Sequence, residues 1–324
     1  MSFPPLWPVV MELESPDVKR QSGTMAVIDA PYVARPVRAA TLAVAGMGII
    51  GVIDNVMPEV ARHIGLAQFH FVRSLMALCL LPLILLWTGQ SIRPVNAWGV
   101  VGRSTFMTLG MGIYFACVGF LPVAQVLAGV FTAPLFIMLA TLMQGRRVDR
   151  GSAGLILLGF VGCLAVVQPD MGNLGWLAIG PLLAGFFYGM GGKVTRSWTG
   201  QENVWTLTAC YLSLIGGMGG IALLVLDPAG TNYVTRGWAA MPPHIIGLCA
   251  LQAVGALIAV GLLTRAYQLA APAFVGAFEY TVLIIAAAIG FAVWGHALNA
   301  LALAGVALIL TSGAALAWRG DRSG

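Results

Sequence analysis

The sequence predicts an all-α polytopic membrane protein, with ten transmembrane helices arranged as two inverted five-helix repeats. Three observations predict it: an apolar composition with few charges, apolar runs of spanning length between short polar breaks, and a one-sided distribution of basic residues in those breaks. Of 324 residues, 59% are hydrophobic and 9% charged, whereas a soluble domain is about 45–50% apolar and about 25% charged. The 17 basic and 12 acidic side chains are too few to solvate a globular surface of this size, which excludes an ordinary soluble enzyme. Glycine and proline number 41 and 17 without a fixed period, which excludes a collagen-like chain.

Residues 1–36 carry Pro4, Pro5, Pro8, Glu12, Glu14, Asp17, Lys19 and Arg20 and no long apolar run, so they read as a disordered cytoplasmic tail. They lack the basic start and apolar stretch of a signal peptide, and the first membrane segment is expected to act as its own signal. From Arg38 onward, spans are placed at 39–58, 66–87, 98–118, 121–143, 151–168, 174–196, 203–226, 244–265, 271–294 and 298–318. A spanning helix needs about 20 apolar residues and a membrane strand only about 9–11, so these runs read as helices. The first repeat is expected over 37–168 and the second over 169–319, with a short cytoplasmic tail at 320–324.

The basic residues orient this map. With the N-terminus in the cytoplasm, that side receives Lys19, Arg20, Arg35, Arg38, Arg93, Arg103, Arg146, Arg147, Arg150, Lys193, Arg196, Arg265, Arg319 and Arg322. The outer side receives Arg62 and Arg236, and Arg73 falls inside the second span. This asymmetry follows the positive-inside rule and puts both termini in the cytoplasm. Trp87, Trp98, Trp176, Trp198, Trp205, Trp238, Trp294 and Trp318 fall at span ends or in a loop, as an interfacial belt requires. Five is odd, so two halves of five spans face opposite ways. A shift of 150 residues superposes Ala116 on Ala266, Pro122 on Pro272 and Gly145 on Gly295; a shift of 151 superposes Gly154 on Gly305 and Gly162 on Gly313. Inverted repeats are a common plan of secondary transporters.

Motifs of enzymatic chemistry are missing. The five cysteines stand singly in apolar runs, so no zinc site, other metal site or disulfide framework is expected, and no cofactor. GFFYGMGGKVT at 185–195 departs from phosphate-loop spacing at Phe187 and Val194, and HExxH and GxSxG do not occur. GGMGG at 216–220 reads as close packing of the seventh span.

Charges inside spans cost about 2.5–3.5 kcal/mol each at the centre, so each needs a partner or a watery cavity. Asp54 and Arg73 fall at similar depth in the first two spans, with His70 one turn from Arg73. Together they read either as an anion-binding or gating cluster or as an ion pair that staples two helices. Glu279 lies about 12 Å inside the ninth span, with Arg265 across a short turn. It reads as a cation- or proton-carrying carboxylate or as a paired structural one. Pro134, beside Phe131 and Thr132, frees the Val130 carbonyl in mid-span, where it either lines a cavity or marks a plain kink. Tyr114, Tyr188, Gln252 and Tyr280 add polar groups within spans. The candidate substrate-binding set is therefore Glu279, Tyr280, Tyr114, Tyr188, Phe131, Gln252, Arg73, His70 and Asp54, with no catalytic or metal-binding residue.

The stretches FLPVAQVLAGVFTAPLFIMLATLMQGRRV at 120–148, RAYQLAAPAFVGAFEYTVLIIAAAIGFAVWGHAL at 265–298 and FVRSLMALCLLPL at 71–83 resemble the drug/metabolite transporter superfamily, in its EamA-type ten-helix branch. The resemblance extends over about residues 38–318. It implies two five-helix repeats around a central cavity walled by spans 1, 3, 4, 6, 8 and 9, with spans 5 and 10 outside. It also implies movement of small organic metabolites (amino-acid-like, nucleoside-like, vitamin or drug-like) by alternating access. No ATP site is visible, so a proton, ion or substrate gradient is expected to drive the cycle. The expected partners are the substrate and the lipid bilayer of a bacterial inner membrane, not nucleic acid, and the chain is expected to be a monomer or homodimer. The rival reading is an intramembrane enzyme using Glu279, His70 or Asp54 as acid or base, which no paired catalytic motif supports.

The charge map generates a direct expectation. Alkaline phosphatase fused after residue 320 will be inactive in a bacterial host, because that position is cytoplasmic; an active fusion would overturn the ten-span map.

Overall fold

A computed structural model describes residues 35–118, 121, 123–145, 148–169, 179–294 and 299–322. The tail residues 1–34 and 323–324, together with Pro122, Arg146, Arg147 and Trp176, lie outside the described residues. Helix occupies every expected span. The elements are α1 (Pro36–Ile53), a 3-10 turn (Asp54–Val56), α2 (Met57–His63), α3 (Leu66–Thr88), α4 (Ala97–Val118), α5 (Val123–Val130) and α6 (Ala133–Met143). They continue with α7 (Arg150–Val167), α8 (Ile179–Ser197), α9 (Val204–Leu223), α10 (Pro243–Leu269), α11 (Pro272–Glu279), α12 (Thr281–Trp294) and α13 (Ala300–Arg322).

Local chemistry explains the boundaries. Proline stands in the first turn of α1, α2, α6, α10 and α11, where a missing N–H costs nothing and the fixed φ suits a helix start. Asp149 caps α7 by accepting from Ser152 N–H, and Asn203 caps α9 by accepting from Trp205 N–H. The Ser152 backbone and hydroxyl, helped by neighbouring Arg319, hold the Asp149 carboxyl below the usual carboxylate range. Gly89 and Gly145, at φ 66° and 72°, end α3 and α6 in the left-handed conformation glycine adopts freely.

Seven stretches among the described residues are long and apolar enough to cross a membrane: 36–63, 66–88, 126–143, 150–167, 204–223, 243–269 and 300–319. The α11–α12 segment is shorter in its apolar run, while α4 and α8 are less apolar. Those two carry Arg103, Ser104, Thr105 and Thr108, and Lys193, Thr195 and Arg196, respectively. They pack against each other, so much of their polar surface faces protein rather than lipid. The protein is an all-helical polytopic membrane bundle. Its main helix pairs are α4 with α8, α10 with α1, α3 with α9 and α7 with α13.

Three spans are not the single helices the sequence suggests. The first is interrupted by the 3-10 turn that begins at Asp54. The fourth breaks at Phe131–Thr132 and the ninth at Tyr280. In each break a threonine hydroxyl turns back to the carbonyl three residues earlier: Thr132 to Gly129 O at 2.5 Å, Thr281 to Phe278 O at 2.7 Å. The two breaks also meet. The Tyr280 hydroxyl donates to Phe131 O at 3.1 Å, and their rings stand edge to face with centroids 5.6 Å apart.

Glycines set the closest approaches. A Cβ on Gly162 of α7 would sit 2.8 Å from Gly305 O of α13, and one on Gly305 would sit 2.6 Å from Gly162 O. The glycine step of the seventh span does pack closely: Gly216 meets Ser74 and Gly219 meets Ala67 O of α3. The glycine-rich run of α8 presses on the first break, since a Cβ at Gly185 would lie 2.5 Å from Gly129 O and one at Gly189 would lie 2.8 Å from Ala133 O.

Both ends of the bundle are tied. At one, the Glu202 carboxylate accepts from Val95 and Asn96 N–H, and Gln268 Nε2 donates to Thr199 O and Glu202 O. At the other, Leu66 N–H donates to Tyr233 O, Gln68 exchanges two hydrogen bonds with the Ala239 backbone, and Arg236 donates to Arg62 O. Two interfacial assignments need correction. Trp205 is 4% exposed and faces the interior instead of the belt. Arg103 is 2% exposed within α4, not a surface residue of the cytoplasmic side.

The α7–α13 contact predicts opposite signs for two glycine substitutions. Gly305→Ala overpacks it and should cost about 1–3 kcal/mol. Gly154→Ala on α7 meets nothing within 4 Å and should gain about 0.5–1 kcal/mol from helix propensity. Melting temperatures in detergent check the order; equal values would refute the contact.

Candidate functional site

The interior carries two polar clusters. The first is built on the break of the ninth span. Because α11 ends at Glu279, the carboxylate leaves the helix end toward α8 and α10, and both helices supply a tyrosine. Tyr188 Oη donates to Oε1 at 2.9 Å and Tyr267 Oη to the same oxygen at 3.0 Å. Glu279 is 3% exposed and Tyr267 is fully buried, whereas Tyr188 is half-buried. Arg265 turns elsewhere, donating to Gln268 Oε1 at 3.3 Å. A carboxylate that receives hydroxyl donors is stabilised without a counter-charge, so it can carry a proton or attract a cation.

Arg103 adjoins this cluster. Its Nε donates to Thr195 Oγ1 at 3.0 Å, its Nη2 to Thr264 Oγ1 at 2.9 Å and its Nη1 to Leu207 O at 3.4 Å. The guanidinium thus joins α4, α8, α9 and α10 through neutral acceptors. No ion pair between Arg103 and any carboxylate is found among the described residues.

The second cluster lies toward the 3-10 turn that follows α1. Asp54 is exposed by surface area, although α1, α10 and their neighbours crowd around it. Gln252 Nε2 donates to Ile53 O at 2.7 Å and reaches Asp54 Oδ1 at 3.4 Å. Tyr114 and Tyr233 lie near the same carboxylate. Arg73 does not form the expected ion pair with Asp54. Its Nη2 lies 3.3 Å from His70 Nδ1, and its guanidinium carbon sits 5.0 Å from the centre of the Phe69 ring. The His70 ring packs edge-on against Phe115, with centroids 4.7 Å apart. The reason is local: His70 and Arg73 share a helical face one turn apart, so Arg73 meets its own helix before reaching α1.

Several buried polar atoms have no protein partner: His70 Nε2, Arg73 Nε and Ser74 Oγ on α3, Ser104 Oγ and Thr108 Oγ1 on α4, and Trp205 Nε1 and Thr206 Oγ1 on α9. Buried polar groups are ordinarily satisfied, so these atoms retain hydrogen-bonding capacity. The helical ones fall on three helices, of which α9 packs against both α3 and α4.

The structure therefore gathers Glu279 with Tyr188, and Asp54 with Gln252, Tyr114, His70 and Arg73. Tyr280 and Phe131 adjoin the Glu279 cluster, packed in one core with Tyr267, but the Tyr280 hydroxyl goes to the other helix break and not to the carboxylate. The Phe131 carbonyl accepts from Tyr280, and the Val130 carbonyl, the one Pro134 frees, faces Gly185 of α8, where an added Cβ would lie 3.1 Å from it. Sequence reasoning missed Arg103 because it lies six residues into α4 and reads as a cytoplasmic charge. It missed Tyr267 because the eighth span was ended at Arg265, whereas α10 runs on to Leu269. Thr264, Tyr267 and Gln268, at spacing i, i+3, i+4, were the available signal of an inward polar face.

An all-helical membrane bundle with broken helices, buried charges and an interior set of unpartnered polar groups is the construction of a membrane transporter. The chain belongs to the EamA-like transporter family: that family's model matches residues 37–168. It is 30% identical over 224 residues to the riboflavin transporter of Rhizobium johnstonii, a match covering 68% of this chain and 70% of that protein. A solved crystal structure superposes with a TM-score of 0.70 at 13% identity, covering 89% of this chain and 98% of the other, and so shares the fold.

The tyrosine–carboxylate contact can be isolated by a double-mutant cycle. Tyr188→Phe and Tyr267→Phe should each cost about 1–3 kcal/mol, as for hydrogen bonds to a carboxylate. In a Glu279→Leu background, where no acceptor remains, they should cost almost nothing. Additive losses in unfolding experiments would show that the hydroxyls act elsewhere.

Proposed function

We propose that this protein is a secondary transporter of a flat, hydrogen-bond-rich metabolite of the riboflavin type, working by alternating access in a bacterial inner membrane with both termini in the cytoplasm. The observation that carries the reading is the set of buried, unpartnered polar atoms on α3, α4 and α9. A solute with several hydroxyl, imide and carbonyl groups would satisfy them, while a purely apolar one would leave them desolvated at a cost of about 1–3 kcal/mol each. The rings of Phe69, Phe115 and Tyr114 beside them suit a planar heteroaromatic ring. The riboflavin transporter named among the relatives supports the same solute class.

The division into two five-helix repeats, 37–168 and 169–319, is part of this proposal. Exchanging the first five spans for the last five turns the α4–α8 pair into the α10–α1 pair and leaves α3–α9 and α7–α13 unchanged, and those are the main helix pairs of the bundle. The family match ends where the first five spans end. Spacing supports it too: the last helical residues before the two breaks, Val130 and Glu279, are 149 positions apart, close to the shift of 150 in the sequence. In the proposed cycle the broken helices α5–α6 and α11–α12 flex where they meet. Glu279 carries the proton or cation, while Asp54, Gln252, His70, Arg73 and Tyr114 receive the solute. Energy comes from an ion or substrate gradient.

Proteoliposomes containing the purified protein should accumulate radiolabelled riboflavin, or a competing heteroaromatic metabolite, when a proton gradient is imposed. Glu279→Gln should preserve folding and abolish gradient-driven uptake, while Arg73→Gln should raise KM more than it lowers kcat. Full uptake by Glu279→Gln with an unchanged pH profile would reduce that residue to packing. Failure of wild-type protein to take up or bind any heteroaromatic solute would overturn the substrate class.

A further inference from the structure

At the end of the bundle beyond the Asp54 turn, three metal-ligating side chains converge outside the transport site. Glu59 and His63 are four residues apart and therefore share one face of α2. His244 stands in the first turn of α10, against which α2 packs. Glu59 Oε1 lies 3.6 Å from His63 Nδ1 and 3.9 Å from His244 Nε2, and one ligand atom from each residue lies within 4.8 Å of the other two.

A tetrahedral ion with bonds of about 2.0–2.1 Å holds its ligands about 3.3 Å apart. Only a small contraction of partly exposed side chains closes the set to that spacing. The surroundings preset it. Arg62 Nη1 donates to the other carboxylate oxygen, Oε2, at 2.9 Å, which steadies the carboxylate with Oε1 toward the imidazoles. The Glu59 carbonyl oxygen lies 3.0 Å from the same His63 Nδ1, a contact that the ring exchanges for the ion when that nitrogen, unprotonated, becomes the ligand. The two imidazoles meet edge to face, at 86° with centroids 5.2 Å apart, so they converge on the carboxylate instead of stacking. An ion-pair role leaves two imidazoles crowded on a carboxylate that Arg62 already neutralises; a ligand role uses all three.

We propose that Glu59, His63 and His244 form a binding site for a divalent transition-metal ion of the zinc and nickel class. Two imidazoles and one carboxylate favour such ions over magnesium or calcium, which take oxygen ligands. The ligands come from both sides of a joint. On one side α2 follows the turn that holds Asp54. On the other, about two turns along α10 from His244, Gln252 holds Ile53 O and Asp54. A bound ion clamps α2 to α10 across that turn.

The test uses full-length protein in detergent with any polyhistidine tag removed. Calorimetric titration with Zn²⁺ and Ni²⁺ should give one site, Co²⁺ should develop visible ligand-field absorption, and the melting temperature should rise with each ion but not with Mg²⁺ or Ca²⁺. His63→Ala, His244→Ala and Glu59→Gln should each weaken binding by about ten-fold or more and remove the thermal shift, while the variants without metal melt close to wild type. Absence of binding at millimolar ion would overturn the proposal. So would wild-type affinity in both histidine variants, which would put the ion elsewhere.

Discussion

A polar group inside a hydrocarbon layer must find its partners within the protein, and this requirement organises the bundle. Arg103 and Glu279 are both buried, and neither uses the other. Arg103 is satisfied by two threonine hydroxyls and a carbonyl, Glu279 by two tyrosine hydroxyls. Each set draws on several helices, so satisfying one charge fixes the relative positions of α4, α8, α9, α10 and α11. Neutral partners also leave the charge of each group uncompensated, and an uncompensated charge attracts ions or charged solute groups.

The helix breaks serve the same requirement. Ending α11 at Glu279 lets one carboxylate meet tyrosines from two other helices, which a continuous helix would hold to a single face. At both breaks a threonine hydroxyl adds a bond back to the preceding turn. Helix α8 must then approach a broken helix closely, and its glycines permit this. The motif-like run at 185–195 is thus explained by packing, without a phosphate ligand.

Much of the architecture was legible because membrane insertion writes itself into composition. The spans emerged from apolar runs, and the packing role of Gly216 and Gly219 from their spacing. The breaks were harder to read. Pro134 announced the fourth span's irregularity but not its position two residues earlier, and the ninth span has no proline or glycine at Tyr280. The pairs Phe131–Thr132 and Tyr280–Thr281 carry that signal at a shift of 149, one residue from the shift of 150 that superposes Pro122 on Pro272. Partner choice was the least legible part. Sequence places Asp54 and Arg73 at one depth, but side-chain direction within α3 turns Arg73 to His70. Arg103 was hidden because a charge near a helix end reads the same whether it faces water or the bundle.

The central claim is that solute is held beside Asp54. Asp54→Cys, in a background with Cys79, Cys117, Cys163, Cys210 and Cys249 replaced, tests it most directly through labelling with a membrane-impermeant thiol reagent. The account predicts labelling from the outer face that riboflavin slows in a saturable manner, with no such protection by an apolar compound of similar size. A cysteine that no aqueous reagent reaches from either face, or whose labelling is indifferent to every heteroaromatic solute that the protein transports, would contradict it.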